Sequence, residues 1–94
     1  SVGTELQITW PEHLSVRALT FALVSPHPVQ AGAQHTAVMS WYTPVNAAVH
    51  EHTLGTVPSG VYDIVAYPDA GTGAPVARVR AEVQGALLRV DLAN

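Results

Sequence analysis

Polar and apolar residues alternate most strictly near the C-terminus. Val79, Ala81 and Val83 fall on one side of an extended chain, and Arg78, Arg80 and Glu82 fall on the other. Leu88, Val90 and Leu92 set against Arg89 and Asp91 repeat the pattern. Both runs read as strands with one packed face and one wet face. Alternating or β-branched runs cover residues 5–10, 17–24, 35–43, 49–54, 61–67, 76–83 and 87–92, seven in all, starting roughly every 11 to 18 residues. The breaks between them are Pro11-Glu12-His13, Pro26-His27-Pro28, Pro44-Val45-Asn46, Pro58-Ser59-Gly60, Pro68-Asp69-Ala70-Gly71-Thr72-Gly73 and Gln84-Gly85. This spacing predicts an all-β fold, a single seven-stranded antiparallel β-sandwich occupying residues 1–94 as one domain, with at most a short turn near Glu12 to Ser15.

A helix over the sixth run is the competing reading, because Val76, Val79 and Val83 stand at i, i+3 and i+7 and Pro75 suits a first helical turn. The β-branched valines, the Arg78/Arg80/Glu82 alternation and the short distance to Gly85 favour the strand. Gln84-Gly85 then reads as a tight hairpin joining the last two runs, with Arg78, Arg80 and Glu82 facing Arg89 and Asp91 across it. Pro44-Val45-Asn46-Ala47 reads as a second hairpin.

The stretch Leu54-Gly55-Thr56-Val57-Pro58 followed by Gly60-Val61-Tyr62-Asp63-Ile64-Val65-Ala66 resembles the strand start, leucine-proline-glycine-x-tyrosine in outline, of carboxypeptidase-regulatory-like and related prealbumin-like domains. The resemblance covers about a seventh of the chain. It implies a seven-stranded sandwich, immunoglobulin-like or prealbumin-like, with Tyr62 packed near the edge of the core. The first strand departs from the family, since Glu5-Leu6-Gln7-Ile8-Thr9-Trp10 before Pro11 lacks its glycine-rich opening and small-residue turn. Such domains are mostly non-catalytic binding, adhesion or accessory modules of secreted, periplasmic or cell-surface proteins, including lipoproteins. A cleaved signal or lipobox would leave no trace in residues 1–94.

Composition narrows the function classes. Only 12% of the 94 residues are charged and 48% are apolar, so disorder is disfavoured and the solvated faces depend on Thr, Ser, Gln and His. Lysine is absent, four arginines face seven acidic residues, and the formal charge is −3, so no basic stripe exists for a phosphate backbone and nucleic acid is not an expected partner. Without cysteine, neither a disulfide nor a thiolate zinc site holds the domain. No run approaches the ~20 apolar residues of a membrane helix.

Candidate chemistry is sparse, and no cofactor is expected. His50-Glu51-His52 places two imidazoles on one face of a strand, which makes His50 and His52 the candidate metal ligands. If Pro44 to Ala47 closes a hairpin, one register puts both rings on the face of Trp41 and Met39 and leaves Val49 outside; a one-residue slip reverses this. His13, His27 and His35 sit in or beside expected loops. Ser25, Ser40 and Ser59 lack a nucleophile motif, and His50-Glu51-His52 lacks the helical spacing of a zinc hydrolase, so no enzymatic activity is expected. Asp69-Ala70-Gly71-Thr72-Gly73 has one carboxylate, too few for a calcium loop. Trp41 and Tyr42 are adjacent and must face opposite sides of a strand, so one is exposed. Tyr42, Tyr67 and Trp10 are the candidate surface for a carbohydrate or protein partner.

Overall fold

The structure, a computed structural model, describes residues 3–26 and 40–93. Its strands are β1 (Thr4–Thr9), β2 (Ala18–Pro26), β3 (Ser40–Pro44), β4 (Glu51–Val57), β5 (Gly60–Tyr67), β6 (Ala77–Val83) and β7 (Leu87–Asp91). Among the described residues there is no helix, and residues 77–83 are extended as the alternation predicts. The turn expected after β1 closes through Leu14 N donating to Pro11 O at 3.0 Å. Met39, His27 and His35 lie outside the described residues.

The strands form two sheets, one in the order β4-β1-β7 and one in the order β3-β2-β5-β6. Period-2 alternation decides which face of each is buried. In the first sheet, Leu6 and Ile8 stand beside Leu54 and His52 on one flank and beside Leu88 and Val90 on the other, all facing inward. In the second, Leu19, Phe21, Tyr62, Ile64 and Ala66 face inward, with Trp41 and Val79 level with Phe21 and Ile64. The two inner faces merge in one apolar cluster that includes Leu6, Ile8, Phe21, Tyr62, Ile64 and Leu92. Each large side chain fully removed from water contributes about 1.5–3 kcal/mol, offset by the entropy of ordering the chain.

At the centre Phe21 stacks on Trp41 with ring centroids 5.7 Å apart, and Trp41 meets Tyr62 edge-on at 5.7 Å. Tyr62 has no exposed surface. Its hydroxyl donates to the carbonyl of Pro58 at 2.7 Å, four residues upstream, so the phenol that is buried for packing also pins the turn that starts β5.

Two expected hairpins are absent. Gln84-Gly85 does not join β6 to β7: β6 pairs with β5, and β7 lies in the other sheet beside β1. Gly85, at φ +85°, turns the chain between the sheets, its carbonyl accepting from Thr4 Oγ1 at 2.6 Å, while Glu5 N donates to Ala86 O at 2.9 Å. Leu88 and Val90 thereby reach Leu6 and Ile8. Alternation specifies the buried face but is silent on which sheet supplies the partner, so both pairings satisfy the same pattern. The charges are redistributed accordingly. Arg80 bonds Asp63 of β5 at 2.8 Å, Arg89 donates to Gln7 at 2.8 Å, and Asp91 accepts from Thr9 at 2.8 Å. Because β1 and β7 run parallel, the three-stranded sheet is mixed rather than wholly antiparallel.

The Pro44 to Ala47 segment likewise crosses between sheets instead of closing a hairpin, because β3 pairs with β2 and β4 pairs with β1. Val45 N donates to Arg17 O at 2.9 Å, and Asn46 turns the chain by accepting from Ala48 N at its side chain and from Val49 N at its carbonyl. β4 then carries a register shift opposite Thr4 and Leu6, with Thr56 at φ 63°. A Cβ on Gly3 would stand 2.6 Å from the Thr56 carbonyl carbon, so the backbone approach at this bulge requires glycine.

Candidate functional site

The outer face of the four-stranded sheet carries the exposed tyrosine. Val65, Thr20 and Tyr42 stand level across β5, β2 and β3, and Tyr67, Ala18 and Pro44 form the next row. Tyr42 is 48% exposed, while Trp41 on the opposite side packs against the core. Tyr67 shares the outer face of Tyr42 and is half-buried, with the β2 positions between them held by small residues. Trp10 is not on this surface. Continuing the inward series Leu6 and Ile8, it is 3% exposed and belongs to the core, which removes it from the aromatic surface predicted from sequence.

The loop after β5 completes the site. Asp69 Oδ1 accepts the backbone N–H groups of Gly71, Thr72 and Gly73 at 2.9, 3.2 and 3.3 Å, winding residues 69–73 into a closed turn. The turn brings Gly71, at φ +99°, against Tyr42, and a Cβ there would lie 3.4 Å from the ring Cε1. Between this loop and the β3–β4 crossing lies a cleft of 480 Å³. It is lined by Arg17, by Tyr42 and Pro44 of β3, by Val45, Asn46 and Ala47, and by Asp69 and Ala70.

The polar groups of this cleft are unequally committed. Asp69 has spent one carboxylate oxygen on three amides, and the Asn46 side-chain oxygen is held by Ala48 N at 3.0 Å. The Arg17 guanidinium has no ion-pair partner among the described residues. The cleft thus offers donors from Arg17 and the Asn46 amide, the Tyr42 hydroxyl and the second carboxylate oxygen of Asp69, beside an aromatic ring and the apolar side chains of Pro44, Val45, Ala47 and Ala70.

The amides around Asp69, Gly71 foremost, hold its carboxyl below the usual carboxylate range, and the Arg80 hydrogen bond and the charges of Arg80 and Arg78 do the same for Asp63. A carboxylate whose folded pKa is depressed contributes stability that is present above its unfolded value, about 3.9, and is lost as pH falls through the folded value. The urea midpoint should accordingly stay level from neutral pH to about pH 5 and decline below about pH 4. Asp69→Asn should be weaker than wild type at neutral pH and show a shallower acid decline; an acid profile identical to wild type would contradict this role for Asp69.

His52 of β4 faces inward, across from the buried Ile8, and His50, just before the strand, has its Nδ1 buried beside Trp10. Val49 is 45% exposed and Glu51 is exposed, so the inward orientation is reached without the hairpin that sequence reasoning used to obtain it. The two rings meet different neighbours. His50 meets Trp10 edge-on at 6.4 Å, and His52 Nε2 lies 3.5 Å from Thr43 Oγ1. Among the described residues no group of three or more His, Cys, Asp or Glu side chains gathers to complete a metal site there. Trp10 Nε1 and His50 Nδ1 are both buried without a protein partner.

Sequence reasoning singled out Tyr42 and missed Arg17 and Asn46, which come from separate connections and converge at one end of the sandwich. Asp69 was visible only as a poor calcium ligand. Its spacing to Gly71 and Gly73, suited to a side-chain-capped turn, was the available signal. No protein-family model, curated protein or solved structure matches this chain.

Proposed function

We propose that the chain is a non-catalytic carbohydrate-binding module of an exported or surface-associated protein, with the ligand held in the Tyr42 cleft. The observation that carries this reading is an exposed tyrosine beside a cleft lined by the guanidinium of Arg17 and the amide of Asn46. The negative face of an aromatic ring receives the C–H groups of a sugar, and a few polar groups at the rim fix its orientation. Arg17 favours an acidic saccharide, since a guanidinium binds a carboxylate through two charge-assisted hydrogen bonds. Catalysis is disfavoured by the same inventory. Glycoside hydrolysis uses two carboxyl groups, whereas the described lining of the cleft has one, Asp69, with one oxygen capping its own loop.

The exported setting and the prealbumin-like assignment rest on the resemblance around Tyr62. Strand order supports the prealbumin-like option over the immunoglobulin-like one. In the latter the first, second, fourth and fifth strands share a sheet, whereas here β4 and β1 lie apart from β2 and β5. A glycan array probed with wild type and Tyr42→Ala tests the function. Binding to uronic-acid or sialylated glycans, lost in the variant, is the expected result; binding unaffected by the substitution, or to no glycan, would overturn it.

A further inference from the structure

We propose that β7 is a homodimerisation edge, along which two copies of the chain join their three-stranded sheets into one antiparallel six-stranded sheet. Among the described residues the sandwich has four sheet edges, and three carry features that discourage pairing. β3 ends on Pro44, β4 is bulged with Thr56 at φ 63°, and β6 carries an unbalanced set of charges, two arginines to one acid, with Arg80 already paired to Asp63. β7 has no proline, glycine or bulge across Leu87–Asp91, and Leu87 is 53% exposed. Among the described residues no strand covers its far side.

Hydrogen-bond phase fixes which groups that edge offers. Ala86 O and Leu92 N are bonded to β1, and a parallel ladder alternates, so residues 86, 88, 90 and 92 address β1 while Leu87, Arg89 and Asp91 turn their N–H and C=O groups outward. A two-fold axis through Val90 sets Arg89 opposite Asp91 of the second copy, twice, in hydrogen-bonded positions. Leu88 then faces Leu92 of the second copy and Val90 faces its own counterpart, on the side that continues the core. Registers centred on Arg89 or on Asp91 place like charges opposite one another and are disfavoured. The edge is thus self-complementary in a single register, which argues for a second copy as its occupant. The proposal depends on the fold and is independent of the carbohydrate cleft.

Sedimentation velocity from about 10 μM to about 1 mM should show reversible dimerisation of wild type, as suits a small interface. Arg89→Asp or Asp91→Arg alone creates two like-charge pairs and should weaken the dimer by roughly tenfold or more. The double swap in one chain, or an equimolar mixture of the two single variants, restores opposite charges at both positions and should restore dimerisation. Because each swap also removes a bond to Gln7 or Thr9, recovery in the mixture separates edge pairing from damage to the fold. A monomer throughout the range, a dimer indifferent to the single swaps, or failure of the mixture to recover would each overturn the proposal.

Discussion

Tyr62→Ala is expected to destabilise the domain by about 3–5 kcal/mol, the range for truncating a large buried aromatic. The side chain has no exposed surface, meets Trp41 edge-on, and through its hydroxyl holds Pro58 at the turn into β5. The last contact can be isolated. Tyr62→Phe keeps the ring and removes one hydrogen bond, so it should cost about 1 kcal/mol. Arg80→Ala serves as the contrast, since the arginine sits on the wet face with its side chain 62% exposed, and its urea midpoint should remain close to wild type. Equal losses for Tyr62→Ala and Arg80→Ala would mean that the faces of β5 and β6 are assigned the wrong way round.

Tyr42→Ala should act on binding instead of stability. The ring is half-exposed, its neighbour Gly71 approaches only one part of it, and its removal leaves the inner face of β3 untouched. Truncating an aromatic anchor commonly costs more than about 1.4 kcal/mol of binding energy, so affinity for an acidic glycan should fall by at least roughly tenfold with the urea midpoint little changed. Arg17→Ala should reduce affinity for acidic glycans and lessen their advantage over neutral ones, because it removes the charge that distinguishes them. An array and a titration calorimeter read both effects. A Tyr42→Ala variant that binds normally, or that loses binding only because it unfolds, would remove the cleft from the account.

The strands and the inward faces of β6 and β7 are legible in the sequence because they follow from local alternation and breaker residues, and the buried place of Tyr62 is what the resemblance around it implies. Pairing is different. Gln84-Gly85 and Pro44 to Ala47 carry hairpin chemistry, yet both segments cross between sheets, since the partner that buries Leu88 and Val90 is 82 residues away in β1 rather than next door in β6. Local turn residues permit both routes, and only the packing of the two sheets chooses between them. The same limit applies to the cleft. Tyr42 could be identified as exposed from its place beside Trp41, whereas Arg17, Asn46 and Asp69 become neighbours only when three connections meet at one end of the sandwich. Trp10 shows the converse: its place at the end of a strand suggests a surface aromatic, whereas the Leu6, Ile8, Trp10 series directs it inward.

Amide chemical-shift mapping of ¹⁵N-labelled protein during titration with a uronic-acid oligosaccharide tests the binding account most directly. The cleft predicts saturable shifts at Arg17, Tyr42, Val45 to Ala47 and Asp69 to Gly71, absent in Tyr42→Ala and much reduced for a neutral oligosaccharide of the same length. Saturable shifts confined to another surface, or none with the acidic oligosaccharide, would contradict it.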